Sequence, residues 1–345
     1  MKIVFMGTPD FARDSLEAIY NKGYEILGVV TNIDKPKGRG MKLISTPVKE
    51  FAIEKNLKVF QPEKVRNNQE FIQEIKNLNP DIICVVAYGK ILPKEILDIP
   101  RLGCINVHGS LLPQYRGAAP IQWAVLNGDK VTGITTMYMD VGMDTGDMIL
   151  KEEVQIGDNE TTGELWDRLS KIGAKLLVQT IEQIENGTAP RVPQGDNFTL
   201  APMLNKEMAK IDWNEKSAFE IKNLVRGLNP IMGAYSFLDD KKYKFWKVEV
   251  LPIKNESENI SVLTIDNESN DNNFLQIENE LKKSENEFKN KINGTILKSD
   301  SKDGLYIKAK DGIIKVLEIQ AENAKKMSIC DFLRGNNLEV GKKFE

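Results

Sequence analysis

MKIVFMGTPDF, residues 1–11, reads as a short strand, a tight Gly-Thr-Pro turn and a helix that starts near Asp10. Asp10 suits the N-cap position, and Phe11, Leu16, Ile19 and Tyr20 follow at roughly helical spacing. Two further runs, YEILGVVT (24–31) and DIICVVAYG (81–89), are apolar without alternation, as in strands buried on both faces. Shorter candidates lie at 57–60, 104–107 and 133–139, and helical patterns occupy 46–56, 67–78, 118–127 and 161–186. Strands alternating with helices predict an α/β, doubly wound, mostly parallel sheet with helices on both faces. Ligands in such sheets bind beyond the carboxyl ends of the strands.

The GTPDF turn is no dinucleotide fingerprint. It lacks G-x-G-x-x-G spacing, Pro9 removes a backbone N–H that a phosphate would want, and no G-x-x-x-x-G-K-[ST] loop occurs. A nicotinamide dehydrogenase is disfavoured for the same reason. The chain has 345 residues, which predicts two domains. Its formal net charge of −3 requires any nucleic-acid partner to meet a local basic surface. Cys84, Cys104 and Cys330 are far apart, with no C-x-x-C and no histidine nearby, so neither a zinc site nor a disulfide framework is expected. With no apolar run of about 18 residues and no basic-then-apolar leader, we expect a cytoplasmic protein without a membrane partner.

The single histidine of the chain lies in INVHGSLLPQYRGAAP, residues 105–120. Asn106 and His108 are two apart, which on a strand puts both side chains on one face. GSLLP then turns the chain outward. A second polar loop, MDVGMDTGD (139–147), follows another strand, and its Asp144 reaches the imidazole if the two strands are neighbours. Such a trio suits carbonyl chemistry: two N–H donors for an oxyanion, and a carboxylate that positions the ring or accepts a proton. A Ser-His-Asp hydrolase would use Ser110 as nucleophile, yet no G-x-S-x-G elbow is present.

NVHGSLLPQYRGAAPIQWAVLNGD (106–129), together with MGTPDFA (6–12), VVAYGKILP (85–93) and GMDTGDM (142–148), resembles the 10-formyltetrahydrofolate-dependent formyltransferases. The resemblance covers most of residues 1–210 and the remainder more loosely. It implies that Asn106, His108 and Asp144 are catalytic and that Ser110, Leu111, Leu112 and Pro113 line the site of the folate formyl donor, with no metal. It also implies a smaller C-terminal OB-like β-barrel, and, as acceptor, the α-amine of methionine carried on initiator tRNA. Rival acceptors within the family are glycinamide ribonucleotide, whose enzymes lack a second β-rich domain, and amino sugar nucleotides, whose enzymes have a comparable length. A non-catalytic RNA-binding protein would not need the trio.

The long loop TNIDKPKGRGMKLISTP (31–47) carries Lys35, Lys37, Arg39 and Lys42 among glycines and prolines. The family places a tRNA-contacting basic loop here, which singles out these four cations and Arg39 above all. We expect residues 1–189 to form the catalytic domain, 190–208 an extended linker, and 209–345 the tRNA-binding barrel. A helix is expected over 213–230, then strands in GAYSFL, KYKFWKVEVL, GTILKS, GLYIKAK and GIIKVLEI. Residues 254–291, rich in Asn, Glu, Lys and Ser, hold five basic residues against nine acidic and look like a mobile insertion into the barrel. Outside it, residues 206–345 carry a balance of +4. A monomer is expected.

Overall fold

A computed structural model describes residues 1–37, 42–252 and 290–345. Two compact units emerge, one from Met1–Ala124 with Asp129–Met203 and one from Val125–Gly128 with Leu204–Glu345. In the first, β1 (Lys2–Gly7), β2 (Glu25–Val30), β5 (Val59–Phe60), β6 (Ile82–Val86), β7 (Cys104–His108), β9 (Val131–Tyr138) and β10 (Met148–Gln155) form one sheet in the order β10-β9-β7-β6-β1-β2-β5. The five strands from β7 to β5 are parallel, and β9 runs antiparallel to both β7 and β10. Helices α1 (Asp10–Asn21), α2 (Pro47–Glu54), α3 (Gln69–Leu78), α4 (Lys94–Leu97), α5 (Pro120–Leu126) and α6 (Thr162–Glu185) supply the alternation expected from the sequence. Ile3, Val4, Phe5 and Met6 of β1 are fully buried, as a strand covered on both faces requires.

Local chemistry accounts for most element boundaries. Thr161 and Glu164 form a reciprocal capping box at the start of α6, each satisfying the other's backbone N–H. Asp10 is not the N-cap of α1. Pro9 occupies that position without a side-chain cap, and Asp10 lies in the first turn, where its charge meets the positive end of the helix dipole. The strand β10 is absent from the sequence reading because its centre, Lys151-Glu152-Glu153, is charged. It is the edge strand of the sheet, paired along its length with β9 and bridged at Met148 alone to Val192.

The second unit is a mostly antiparallel sheet in the order β12-β13-β16-β15-β14: β12 (Ala234–Leu238), β13 (Lys241–Pro252), β14 (Ile296–Asp300), β15 (Gly304–Lys308) and β16 (Gly312–Ala321). These are the five runs expected from sequence. Asp239 and Asp240 both adopt positive φ, as a two-residue hairpin turn between right-twisted strands demands. Residues 341–345 bond to both edges: Gly341 N–H donates to Ile296, and Phe237 and Glu345 exchange two backbone hydrogen bonds. That tail closes the two open edges of the sheet. The expected helix over 213–230 is shorter, α7 (Ala218–Gly227), because Ser217 and Glu220 cap it. Trp213 instead enters the core and donates its indole N–H to Ser236. Residues 254–289 of the expected insertion lie outside the described residues.

Candidate active site

Asn106 and His108 sit on the carboxyl half of β7, paired to Met137 and Thr135 of β9. The two strands are neighbours, but β9 is antiparallel, so the 139–147 loop departs three residues below His108. It folds back along the strand: Asp144 Oδ2 ends 3.7 Å from His108 Nδ1. That separation is too long for a direct hydrogen bond. The ring is instead held at its other nitrogen, where Nε2 donates to the carbonyl of Tyr115 at 2.9 Å. His108 is only 5% exposed, and Asp144 18%. Asn106 is partly exposed, and its amide has no hydrogen-bond partner among the described residues. The same Asp144 oxygen that faces His108 accepts from Gly117 N–H at 2.9 Å. Gly117 has φ +129°, and a Cβ there would stand 2.6 Å from the carbonyl oxygen of Ala201, so only glycine presents this N–H without strain.

The SLLP turn is fixed from below by Thr135. Its hydroxyl donates to the Ser110 carbonyl at 2.7 Å and accepts from Leu112 N–H at 3.1 Å. Lys151 Nζ donates to the Leu112 carbonyl at 2.5 Å, and burial lowers the ammonium's affinity for its proton. Ser110 is fully buried and spends its hydroxyl on the Gln114 carbonyl, 2.6 Å away. It is therefore no nucleophile. Leu112 is buried against Met137 and Met148, whereas Leu111 and Pro113 are partly exposed.

The basic loop begins and ends on fixed points. Thr31 and Thr46 share a buried hydroxyl–hydroxyl hydrogen bond of 2.8 Å. Asp34 accepts from Lys49 at 2.6 Å and from Gln61 at 2.9 Å, and these bonds hold its carboxyl below the usual carboxylate range. Between them a hairpin pairs β3 (Lys35–Lys37) with β4 (Lys42–Ile44), Lys37 opposite Lys42. Lys35 is exposed. Arg39 lies outside the described residues.

Sequence reasoning missed Tyr115, Gly117, Thr135 and Gln194. The last belongs to a stretch that read as a linker. Two short strands, β8 (Arg116–Gly117) and β11 (Leu200–Ala201), pair in parallel there, and Gln194 Nε2 donates to the carbonyls of Asp144 and Gly146, both at 2.8 Å. Its only sequence signal is a polar residue inside a Pro- and Gly-rich run. Among the described residues no cluster of His, Cys, Asp and Glu could hold a metal ion, and no helix is long and apolar enough to cross a membrane.

A mostly parallel sheet thus brings together an Asn–His pair near the end of a central strand and an aspartate beside the ring, groups of the kind that acyl transfer calls for. The chain belongs to the formyl transferase family: residues 1–181 match the family's Formyl transferase profile and residues 203–337 its C-terminal domain. It is a formyl-transferring enzyme. A relative named methionyl-tRNA formyltransferase, from Clostridioides difficile, is 50% identical over 342 residues, covering 99% of both chains. Another of that name, from Ruminiclostridium cellulolyticum, is 45% identical over 344 residues, again covering 99% of both. Among solved structures, an N-formyltransferase from Helicobacter canadensis in complex with folinic acid and dTDP-3-aminofucose shares the fold, with a TM-score of 0.61 at 19% identity, over 92% of this chain and 99% of that one. The chain spans about half the length of HypX from Aquifex aeolicus, which it also matches in fold.

Proposed function

We propose that this enzyme moves the formyl group of 10-formyltetrahydrofolate to the α-amine of methionine on initiator tRNA, and that Asn106, His108 and Asp144 carry the chemistry. The whole-length identity to methionyl-tRNA formyltransferases supports this acceptor. The observation that carries the chemistry is the pair of unspent donor positions on one face of β7. Among the described residues the Asn106 amide has no protein partner, and His108, anchored through Nε2, keeps Nδ1 beside Asp144.

The amine lone pair attacks the formyl carbon, and the carbonyl π pair moves onto oxygen. Asn106 Nδ2–H and, with the imidazole doubly protonated, His108 Nδ1–H donate to that oxyanion as its charge grows. Asp144, held by Gly117 N–H, accepts the amine proton and returns it as the C–N10 bond breaks and N10 is protonated. Leu111, Pro113 and the backbone of the SLLP turn hold the donor's pterin-bearing end, with Ser110 and Leu112 fixing the turn from inside. The cations Lys35, Lys37, Arg39 and Lys42 meet phosphates near the acceptor end of the tRNA. The three free cysteines are in keeping with a reducing cytoplasm.

The test offers purified enzyme 10-formyltetrahydrofolate with Met-tRNA, glycinamide ribonucleotide and an amino sugar nucleotide in parallel. Formylation of Met-tRNA alone is the expected result. Turnover of either small amine in preference to Met-tRNA overturns the assignment of the acceptor.

A further inference from the structure

The loop bearing Asp144 is clamped through its backbone carbonyls by a side chain from beyond α6. Beyond α6 the chain returns along the site: Val192 exchanges two backbone hydrogen bonds with Met148, at 2.9 and 3.0 Å, and Thr199 accepts from Arg116 N–H at 2.9 Å. Gln194 lies between these anchors. Its Nε2 donates to the carbonyls of Asp144 and Gly146, and its Oε1 accepts from Arg116 Nε at 2.9 Å. The amide has one workable orientation, because two carbonyls need a donor and a guanidinium needs an acceptor. Arg116 is buried, with its guanidinium 4.5 Å over the Phe198 ring, so the clamp has a fixed base.

Asp144 requires such a clamp. Its φ is +54°, a left-handed conformation that is uncommon outside glycine and that aspartate adopts more readily than most residues, so contacts to its backbone decide how firmly it is held. The side chain's aim at His108 depends on that conformation. We propose that Gln194, oriented by Arg116, is a positioning residue for formyl transfer, fixing the backbone of the 144–146 turn so that the Asp144 carboxylate stays beside His108 Nδ1. This rests on the role given to Asp144 above.

Steady-state kinetics of Gln194→Ala and Gln194→Glu test it, with Asp144→Asn measured alongside on the same 10-formyltetrahydrofolate and Met-tRNA. Misplacing a reacting group by about 1 Å costs on the order of 10²-fold, so Gln194→Ala should lose about that in kcat, with KM for both substrates little changed. The isosteric Gln194→Glu separates positioning from packing. An ionised carboxylate cannot donate to either carbonyl, whereas its protonated form can donate to one. The Arg116 guanidinium keeps that carboxylate ionised, so Gln194→Glu should lose as much kcat as Gln194→Ala although it fills the same volume. A kcat within about threefold of wild type for either Gln194→Ala or Gln194→Glu overturns the proposal. If Asp144→Asn collapses turnover while Gln194→Ala does not, only the Gln194 assignment falls. If Asp144→Asn turns over normally, the role of Asp144 falls first and takes this proposal with it.

Discussion

His108 Nε2 lies 2.9 Å from the carbonyl oxygen of Tyr115, and a carbonyl only accepts, so the ring proton resides on Nε2. This fixes which nitrogen is left for chemistry. Because the chain has one histidine, nitrogen NMR of histidine-labelled enzyme reports a single ring. The expected states are the Nε2–H neutral form and the doubly protonated form, both retaining Nε2–H. A neutral ring protonated at Nδ1 would contradict the anchoring by Tyr115.

The trio should behave as a unit. Loss of one oxyanion donor costs about 10²–10³ in kcat, or roughly 2.7–4 kcal/mol. Asn106→Ala and His108→Ala should each lose that much while the affinity for the folate donor stays near wild type, and Asp144→Asn should lose at least as much. Single-turnover rates and donor binding measured separately check this, since near-normal turnover in any of the three removes that residue from the mechanism.

The sequence revealed the sheet where burial is uniform and the site where spacing is short. β1, β2 and β6 are covered on both faces, so their apolar runs are unbroken. Asn106 and His108 share a face by the two-residue period alone. β10 was illegible because Lys151, Glu152 and Glu153 are exposed at its centre. The partners that orient the site lie far along the chain from what they hold: Gln194 is fifty residues from Asp144, and Thr135 twenty-five from Ser110. Nothing local in a Pro- and Gly-rich stretch announces that it folds back over a loop. Tyr115 was hidden for another reason: it acts through its backbone carbonyl, which every residue type carries.

Thr135→Val should unseat the SLLP turn. The substitution keeps the volume but leaves the Ser110 carbonyl and the Leu112 N–H without their partner in a buried place. Each orphaned group costs about 1–3 kcal/mol. Chemical denaturation should show a lowered midpoint with an unchanged slope, and KM for 10-formyltetrahydrofolate should rise more than KM for Met-tRNA. An unaltered donor KM would detach the turn from donor binding.

The cysteines give a pH-dependent readout. Burial pushes the Cys104 thiol up to about 12, and Cys84 is likewise raised. A raised thiol pKa keeps the group protonated and unreactive well above neutrality. A thiol-reactive dye should therefore label Cys330 in the native protein, with no further labelling between about pH 7 and about pH 9, and all three thiols after denaturation. Fast native labelling of Cys84 or Cys104 would mean that the β6–β7 pair opens far more readily than its burial allows.

The hold on tRNA should rest on a few cations, because the chain as a whole is acidic. Each phosphate neutralised releases counterions, so binding weakens as salt rises, and removing one contact makes the logarithmic slope shallower by about one unit. An arginine that places the acceptor end should also affect chemistry, since a misplaced amine loses its line of attack. Arg39→Ala should therefore lower kcat/KM for Met-tRNA sharply and flatten its salt dependence, with folate binding intact. Deletion of 254–291 should matter far less, since its charge of −4 has the wrong sign for a phosphate contact. Both variants are to be assayed with the same tRNA at two salt concentrations. If the deletion abolishes tRNA use while Arg39→Ala leaves it unchanged, the basic loop is not the clamp, and the acidic segment must carry recognition through something other than phosphate charge.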